Sequence, residues 1–156
     1  MITPQQFEVL FPLACKWAAE QEGAILKSGV PLPAQQLEDA LRIGVEHPDQ
    51  VRLMRVAAIP RPSDPILVAA AQATNLISSR TAGITFRYGI YVRSDCWGQR
   101  HIVAHELVHT RQYERLGGFD QFLLPYLTEC ITPPGYPHGP MEQEAERIAR
   151  EICGQP

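Results

Sequence analysis

The segment from residue 101 to residue 118 reads HIVAHELVHTRQYERLGG and carries His105 and His109 four residues apart. Residues at this spacing lie on one face of a helix, so both imidazoles can reach the same metal ion, and Glu106 stands beside them. The glycine pair that starts at Gly117 predicts the end of the helix, because glycine adopts positive φ at little cost. The segment therefore predicts a helix of about 15 residues that presents two imidazoles to a zinc ion, with the Glu106 carboxylate beside the open coordination position.

The flanking residues decide how rigidly such a helix would hold its ligands. Val103 and Leu107 cover the side next to the histidines, and their burial against a core would fix the imidazoles. His101 precedes His105 by one helical turn and is interpreted as a surface or capping residue, because zinc sites of this kind take two histidines from the helix. A surface helix with two unconnected histidines would contain the same motif, and this alternative stays open at the level of sequence.

The motif His105-Glu106-x-x-His109 resembles that of the zincin metallopeptidases, and a later acidic ligand would make the chain similar to their gluzincin branch. The chain is also similar to short bacterial HExxH domains of unassigned activity, in which a glutamine just after the motif is followed by a Glu-x-Glu-Ala-acidic helix. The resemblance covers residues 83–153 and does not reach the first half of the chain. It implies a compact zincin-like α+β fold, a bound zinc ion and hydrolysis of peptide bonds.

A catalytic zinc keeps a third protein ligand and an open position, and two glutamates compete for that role. Glu142 is followed four residues later by Glu146, and this spacing is similar to the gluzincin pattern in which an acidic residue hydrogen-bonds a zinc histidine. Glu129 lies 20 residues after His109, but Pro133 stands where its acidic partner would be. We predict His105, His109 and Glu142 as the metal ligands, with Glu129 as the rival. Two further donors, His138 and Glu144, are retained as lesser alternatives.

The resemblance also implies how the residues share the chemistry. Zinc would lower the pKa of a water molecule toward about 7, and Glu106 would act as the general base that takes its proton and passes it to the leaving amine. A second electrophile often assists in this class of enzyme. Its candidates by sequence proximity are Tyr113, Tyr136, His138 and Arg111.

Apolar and polar residues alternate from Ile84 to Val92, which predicts a strand, or a hairpin if the chain turns near Tyr88-Gly89. In zincins an edge strand before the metal helix receives the extended substrate by backbone pairing, so this segment resembles a substrate shelf. An ordinary core strand with a polar outer face is the alternative interpretation.

The first half of the chain predicts structural elements and no chemistry. Thr3 reads as the cap of a helix with a proline at its first position, and Pro12 should bend or break that helix. Residues 37–41 mark a second helix, and residues 51–58 mark a strand. A third helix starts at 64–65 and is apolar nearly all round, which predicts that it is buried.

Length and composition favour a single domain over residues 1–156, with a mainly helical part at 1–62 and a metal-site part at 63–156. The net charge of -3 and the lack of a Lys/Arg cluster give no surface for nucleic acid. No apolar run reaches the length of a membrane span and no signal peptide is recognisable, so we expect a bacterial cytoplasmic protein. The four cysteines form no CxxC pair, and free buried thiols are expected.

Taken together, the sequence predicts a compact α+β zincin-like domain, mostly helical, with a small sheet before the metal helix. The predicted function is a zinc-dependent metallopeptidase with a peptide or protein substrate and with Glu106 as its base. Two alternatives remain: a binding or scaffold module that keeps the metallopeptidase fold without turnover, and a zinc hydrolase of a non-peptide amide. The oligomeric state does not follow from the sequence.

Overall fold

The structure, a computed structural model, describes residues 1–154. Its main elements, in chain order, are α1 (Pro4–Ser28), β1 (Val30–Pro31), α2 (Ala34–Ile43), β2 (Arg52–Val56), α3 (Pro65–Thr74), β3 (Gly83–Phe86), β4 (Gly89–Arg93), α4 (Arg100–Leu116), α5 (Phe119–Ile131) and α6 (Pro140–Cys153). Helices dominate, and all four strands precede the helix that carries the HExxH motif. The predicted α+β class, mostly helical with a small sheet ahead of that helix, is confirmed.

The four strands form one mixed sheet in the order β1-β2-β4-β3. The β1/β2 and β3/β4 pairs are antiparallel, and β2 runs parallel to β4. The sequence alternation from Ile84 to Val92 is therefore a hairpin, and the chain turns at Arg87-Tyr88, where Arg87 has a positive φ of 60°. This hairpin leaves β3 at the edge of the sheet, next to α4.

Apolar side chains pack on both faces of the sheet, because neighbouring residues of a strand point to opposite sides. Ile90 and Val92 of β4 join a cluster with α2, α4 and α6, whereas Tyr91 joins a second cluster with α1 and α5. Helix α4 contributes Leu107 to the first cluster and Tyr113 to the second. The motif helix is therefore held on two sides by the core.

Helix α1 begins as predicted but does not break at Pro12. The Thr3 hydroxyl accepts from the amide of Gln6 at 3.1 Å, and the Gln6 side chain accepts from the amide of Thr3 at 2.8 Å. The helix continues unbroken through Pro12 to Ser28. Pro12 and Glu8 are both exposed, so the Glu8 carbonyl that proline leaves without a helical donor can bind water.

The prediction that α3 is buried is wrong. Asp64 caps the helix as its sequence indicates, accepting from the amides of Ile66 and Leu67. Leu67 is its one buried residue, and Ile66 is 42% exposed. The helix packs chiefly against α1, so one side of its apolar surface has no further layer of structure to cover it.

None of the helices within residues 1–154 combines the length and the apolar composition that a membrane span requires. The four cysteines are free, as expected, although only Cys96 and Cys130 are buried and the other two are partly exposed.

Candidate metal centre

Helix α4 sets the geometry of the two histidines. Their rings lie on one face of the helix, with centroids 5.1 Å apart and planes at 72°. Leu107 and Val108, between them in the chain, are completely buried and fix the rotation of the helix about its axis. The helix ends where predicted, at Gly117 in the left-handed conformation with φ of 108°. His105 is half-buried, whereas His109 is only 5% exposed.

Helix α6 brings the carboxylate of Glu142 between the two imidazoles. Its Oε1 lies 3.1 Å from Nε2 of His105, and its Oε2 lies 2.7 Å from Nε2 of His109. One potential ligand atom from each of the three residues falls within 4.8 Å of the others. The close approach of α6 to α4 is possible because Ala145 and Ala149, both fully buried, face the interior. The chain thus brings together the three residues that the sequence predicts as ligands.

Each imidazole has an acceptor at its other nitrogen. Nδ1 of His105 lies 3.1 Å from a carboxylate oxygen of Glu146, and Nδ1 of His109 lies 2.8 Å from Oε1 of Gln112. The Gln112 amide is oriented by its own Nε2, which donates to the carbonyl of Met141 and to Glu144. With acceptors at both Nδ1 atoms, each ring turns Nε2 toward Glu142, as a metal ligand requires.

His101 and the rival ligand Glu129 both lie outside the group of converging donors. Nε2 of His101 lies 3.0 Å from Glu146, and the histidine stands outside the group of converging donors. Glu129 accepts from the backbone amide of Met141 at 2.9 Å, in the first turn of α6. It therefore binds the start of the helix that carries Glu142. This contact explains why a glutamate occurs there without belonging to the donor group, which consists of His105, His109 and Glu142.

Tyr126 of α5 belongs to the site and was not predicted. Its hydroxyl donates to Oε2 of Glu142 at 2.8 Å, and its ring packs against His109 with centroids 5.7 Å apart. The ring also stacks on Phe122. The spacing of Phe122, Tyr126 and Cys130 is helical and could have revealed this face, but Pro125 interrupts the pattern.

Glu106 lies beside the donor group and lines the same cavity as His105, His109 and Glu142. It is 7% exposed, and its Oε1 accepts from the hydroxyl of Thr85 at 2.8 Å. Thr85 belongs to the edge strand β3, so this bond joins the motif helix to the sheet. Gly83 stands close by, since a Cβ at that position would lie 3.2 Å from Cγ of Glu106.

The four candidates for a second electrophile separate by position. Tyr136 lines the cavity and is half-buried. Tyr113 also lines it, but this side chain is fully buried and its hydroxyl points to the carbonyl of Thr85 at 3.5 Å. His138 and Arg111 do not line the cavity. Tyr136 is therefore the candidate with a side chain in a suitable place.

The charges of the site are strongly coupled. Burial lowers the pKa of His105, but the hydrogen bond to Glu142 and the charge of Glu106 outweigh it and raise this pKa to about 9. The same balance raises the pKa of His109. Burial raises the pKa of Glu142, yet its bonds with both histidines prevail and hold it well below its usual range. The site thus favours positive charge at the two Nε2 atoms, which a divalent cation would supply.

The cavity beside the donor group has a volume of about 130 Å³. Its walls come from α1, α3, β3, α4 and α5, together with Tyr136 and with Glu142 of α6. Away from His105, Glu106, His109 and Glu142, the wall that the described residues form has no Asp, Glu, Lys, Arg or His side chain and is mostly apolar. The donor group therefore faces an apolar space that one small group can fill.

No protein-family model matches this chain, and no curated protein and no solved structure is significantly similar to it.

Proposed function

We propose that the protein is a zinc-dependent metallopeptidase in which His105, His109 and Glu142 hold the metal. The observation that carries the proposal is the convergence of these three side chains on one point at the wall of a cavity that Glu106 also lines. If the histidines were unconnected residues of a surface helix, there would be no reason for a carboxylate of another helix to lie between them or for each imidazole to have an acceptor at its second nitrogen. That alternative is therefore disfavoured.

The donor set fits zinc better than other common cations. Two imidazole nitrogens and one carboxylate oxygen form a three-ligand set that leaves a fourth position open, as in catalytic zinc sites. Tetrahedral ligands at zinc stand about 3.3 Å apart, given bonds of about 2.0 Å. Oε1 of Glu142 lies 3.1 Å from Nε2 of His105, and Oε2 of the same carboxylate lies 2.7 Å from Nε2 of His109, so each pair of donors is somewhat closer than this spacing. Calcium and magnesium prefer sets made of oxygen alone.

Zinc bound here would supply a Lewis acid that polarises the scissile carbonyl and lowers the pKa of water. Glu106 would take the proton of the attacking water and deliver it to the leaving amine. Thr85 orients Glu106 for this task, because its hydroxyl holds Oε1 of the carboxylate at 2.8 Å. Tyr136 would donate a hydrogen bond to the developing oxyanion. Burial and the charges of Glu142 and Glu106 raise the pKa of Tyr136, so its hydroxyl keeps its proton.

A peptide backbone has a place to bind along β3. The amide of Arg93 donates to the carbonyl of Ala82, which identifies those two residues as a hydrogen-bonded pair across the hairpin. Bonded and non-bonded pairs alternate in an antiparallel ladder, so the next pair, Gly83 and Val92, is non-bonded. The N–H and C=O of Gly83 therefore point away from β4, toward the open edge of the sheet. An extended substrate could pair there beside Glu106, and this feature favours a peptide over a non-peptide amide.

Hydrolysis of a mixed peptide library, followed by mass spectrometry, tests the proposal. The zinc-loaded chain should cleave members of the library, and Glu106→Gln should retain zinc but lower kcat by about 10²- to 10⁴-fold, the usual contribution of a general base. Glu151→Gln serves as the matched control, because this residue is an exposed carboxylate on α6. Equal rates for Glu106→Gln and the native chain would remove Glu106 from the mechanism. Zinc binding with no cleavage by the native chain would favour the scaffold alternative.

A further inference from the structure

Nearly half of the residues that line the cavity come from the first half of the chain, in which the sequence pattern indicated no function. The apolar lining residues include Leu10, Ala14 and Trp17 of α1 and Leu67 and Ala71 of α3, and Leu123 of α5 lines the cavity as well. The carboxylate and imidazole side chains on the wall belong to the donor group and to Glu106, and no Lys or Arg among residues 1–154 lines the cavity. A charged group that entered the apolar part would lose its water without gaining a partner, which carries a large free-energy cost.

The volume sets the size of the group that fits. A cavity of about 150 Å³ lined by apolar side chains is known to admit benzene, and this one measures about 130 Å³. It can therefore hold a branched aliphatic group or a single aromatic ring. Ala14 and Ala71 lie on the wall of the cavity, and their small side chains leave the space open. Both residues are half-buried.

We propose that this cavity is a specificity pocket that selects peptides with a leucine- or phenylalanine-sized side chain beside the scissile bond. The inference rests on the proposed peptidase function, and it adds the class of substrate. The assignment rests on the lining of a single cavity. Apolar residues of α1 and α3 line one part of it, and His105, Glu106 and Glu142 line another.

The first test compares rates on peptides that differ at one position. Burial of a leucine or phenylalanine side chain should raise kcat/KM about tenfold to 100-fold over the alanine peptide, and aspartate or lysine should fall below alanine. Ala14→Leu fills the cavity and should bring the leucine-to-alanine ratio close to unity. Ala19→Leu adds the same group to an exposed position of the same helix and should leave the ratio unchanged. Equal rates for leucine, aspartate and lysine, or a ratio untouched by Ala14→Leu, would overturn the proposal.

The second test uses binding and needs no turnover. Titration of the full chain with toluene should shift the methyl NMR signals of Leu67 and Leu123 in the native protein and in Ala19→Leu, but not in Ala14→Leu. Toluene bound in this way without cleavage of any peptide would overturn the peptidase function and the substrate assignment, and would leave an apolar binding site. Cleavage without toluene binding and without apolar preference would overturn the pocket alone.

Discussion

Replacement of Tyr126 by phenylalanine should weaken zinc binding without disturbing the fold. The change removes one hydroxyl, which donates to Oε2 of Glu142 at 2.8 Å, and keeps the ring that stacks on Phe122 with centroids 5.1 Å apart. Glu142 and Tyr126 are each only 8% exposed, so water has little access to replace the lost donor. The carboxylate would then be held by the histidines and the metal alone.

The expected size of the effect follows from the nature of that bond. A hydrogen bond to a charged group contributes about 1.5–3 kcal/mol, which corresponds to a loss of about tenfold to 150-fold in affinity. Loss of a residue that orients a metal ligand usually weakens metal binding by about 10- to 100-fold. The two ranges agree, so we expect the Kd for zinc to rise by about 10- to 100-fold in Tyr126→Phe.

Competition with a chromophoric zinc chelator measures this change directly. Tyr91→Phe is the matched control, because the Tyr91 hydroxyl also donates over 2.8 Å, to Gln21, and the residue is also buried, but it lies outside the donor group. Tyr91→Phe should bind zinc with the native Kd. An unchanged Kd in Tyr126→Phe, or an equal loss in both variants, would refute the role given to Tyr126.

Three further predictions address the residues around the site. Thr85→Val removes the donor that orients Glu106, so kcat should fall about tenfold in a peptide-cleavage assay while elemental analysis finds the zinc content unchanged. Glu129→Ala should lower the free energy of unfolding by about 1 kcal/mol in urea titrations, because the first turn of α6 loses an acceptor, and should retain zinc; loss of zinc would restore Glu129 as a ligand. The bond from Arg100 lowers the pKa of Asp39 below its ordinary 3.8, so the stability from this pair is complete above that pH and disappears as pH falls through the lowered pKa. In Asp39→Asn the free energy of unfolding should therefore fall less steeply between about pH 5 and pH 2 than in the native chain. An equal dependence on pH in both proteins would contradict the role given to Asp39.

Local sequence signals were sufficient for the two helices that form the donor group. The spacing of His105 and His109 and the glycine at 117 predicted α4, and the structure has that helix ending at that glycine. Glu142 was chosen because Glu146 follows it by one helical turn, and Glu146 indeed lies 3.1 Å from Nδ1 of His105. The end of α4 depends on residues within that helix, whereas the contact of Glu146 with His105 also requires α6 to pack against α4. That Glu142 binds a metal stays a prediction.

Helix α5 and Tyr126 were missed because their role depends on packing between distant segments. Pro125 lies inside the helix, and a proline in a helical pattern ordinarily argues against one. The bond from Tyr126 to Glu142 joins α5 to α6, and no local spacing encodes it.

The burial of α3 was mispredicted for a related reason. Its residues are apolar nearly all round, but burial depends on whether other elements cover the helix. Ile66 stays exposed because α1 is the principal neighbour of α3. The part of the α3 surface that faces inward, including Leu67 and Ala71, forms a wall of the cavity beside the donor group. An apolar pattern thus indicates which helices can bury their surface, and the tertiary contacts determine how much of it is buried.

Elemental analysis of the purified, tag-free chain tests the zinc site most directly. The native protein should contain about one zinc per chain, and His109→Ala should contain almost none, since the variant loses a ligand whose Nε2 lies 2.7 Å from Glu142. Absence of zinc from the native chain, even after zinc is added and excess removed, would contradict the metal site and the enzymatic function that depends on it. Full retention of zinc by His109→Ala would show that the metal is bound elsewhere.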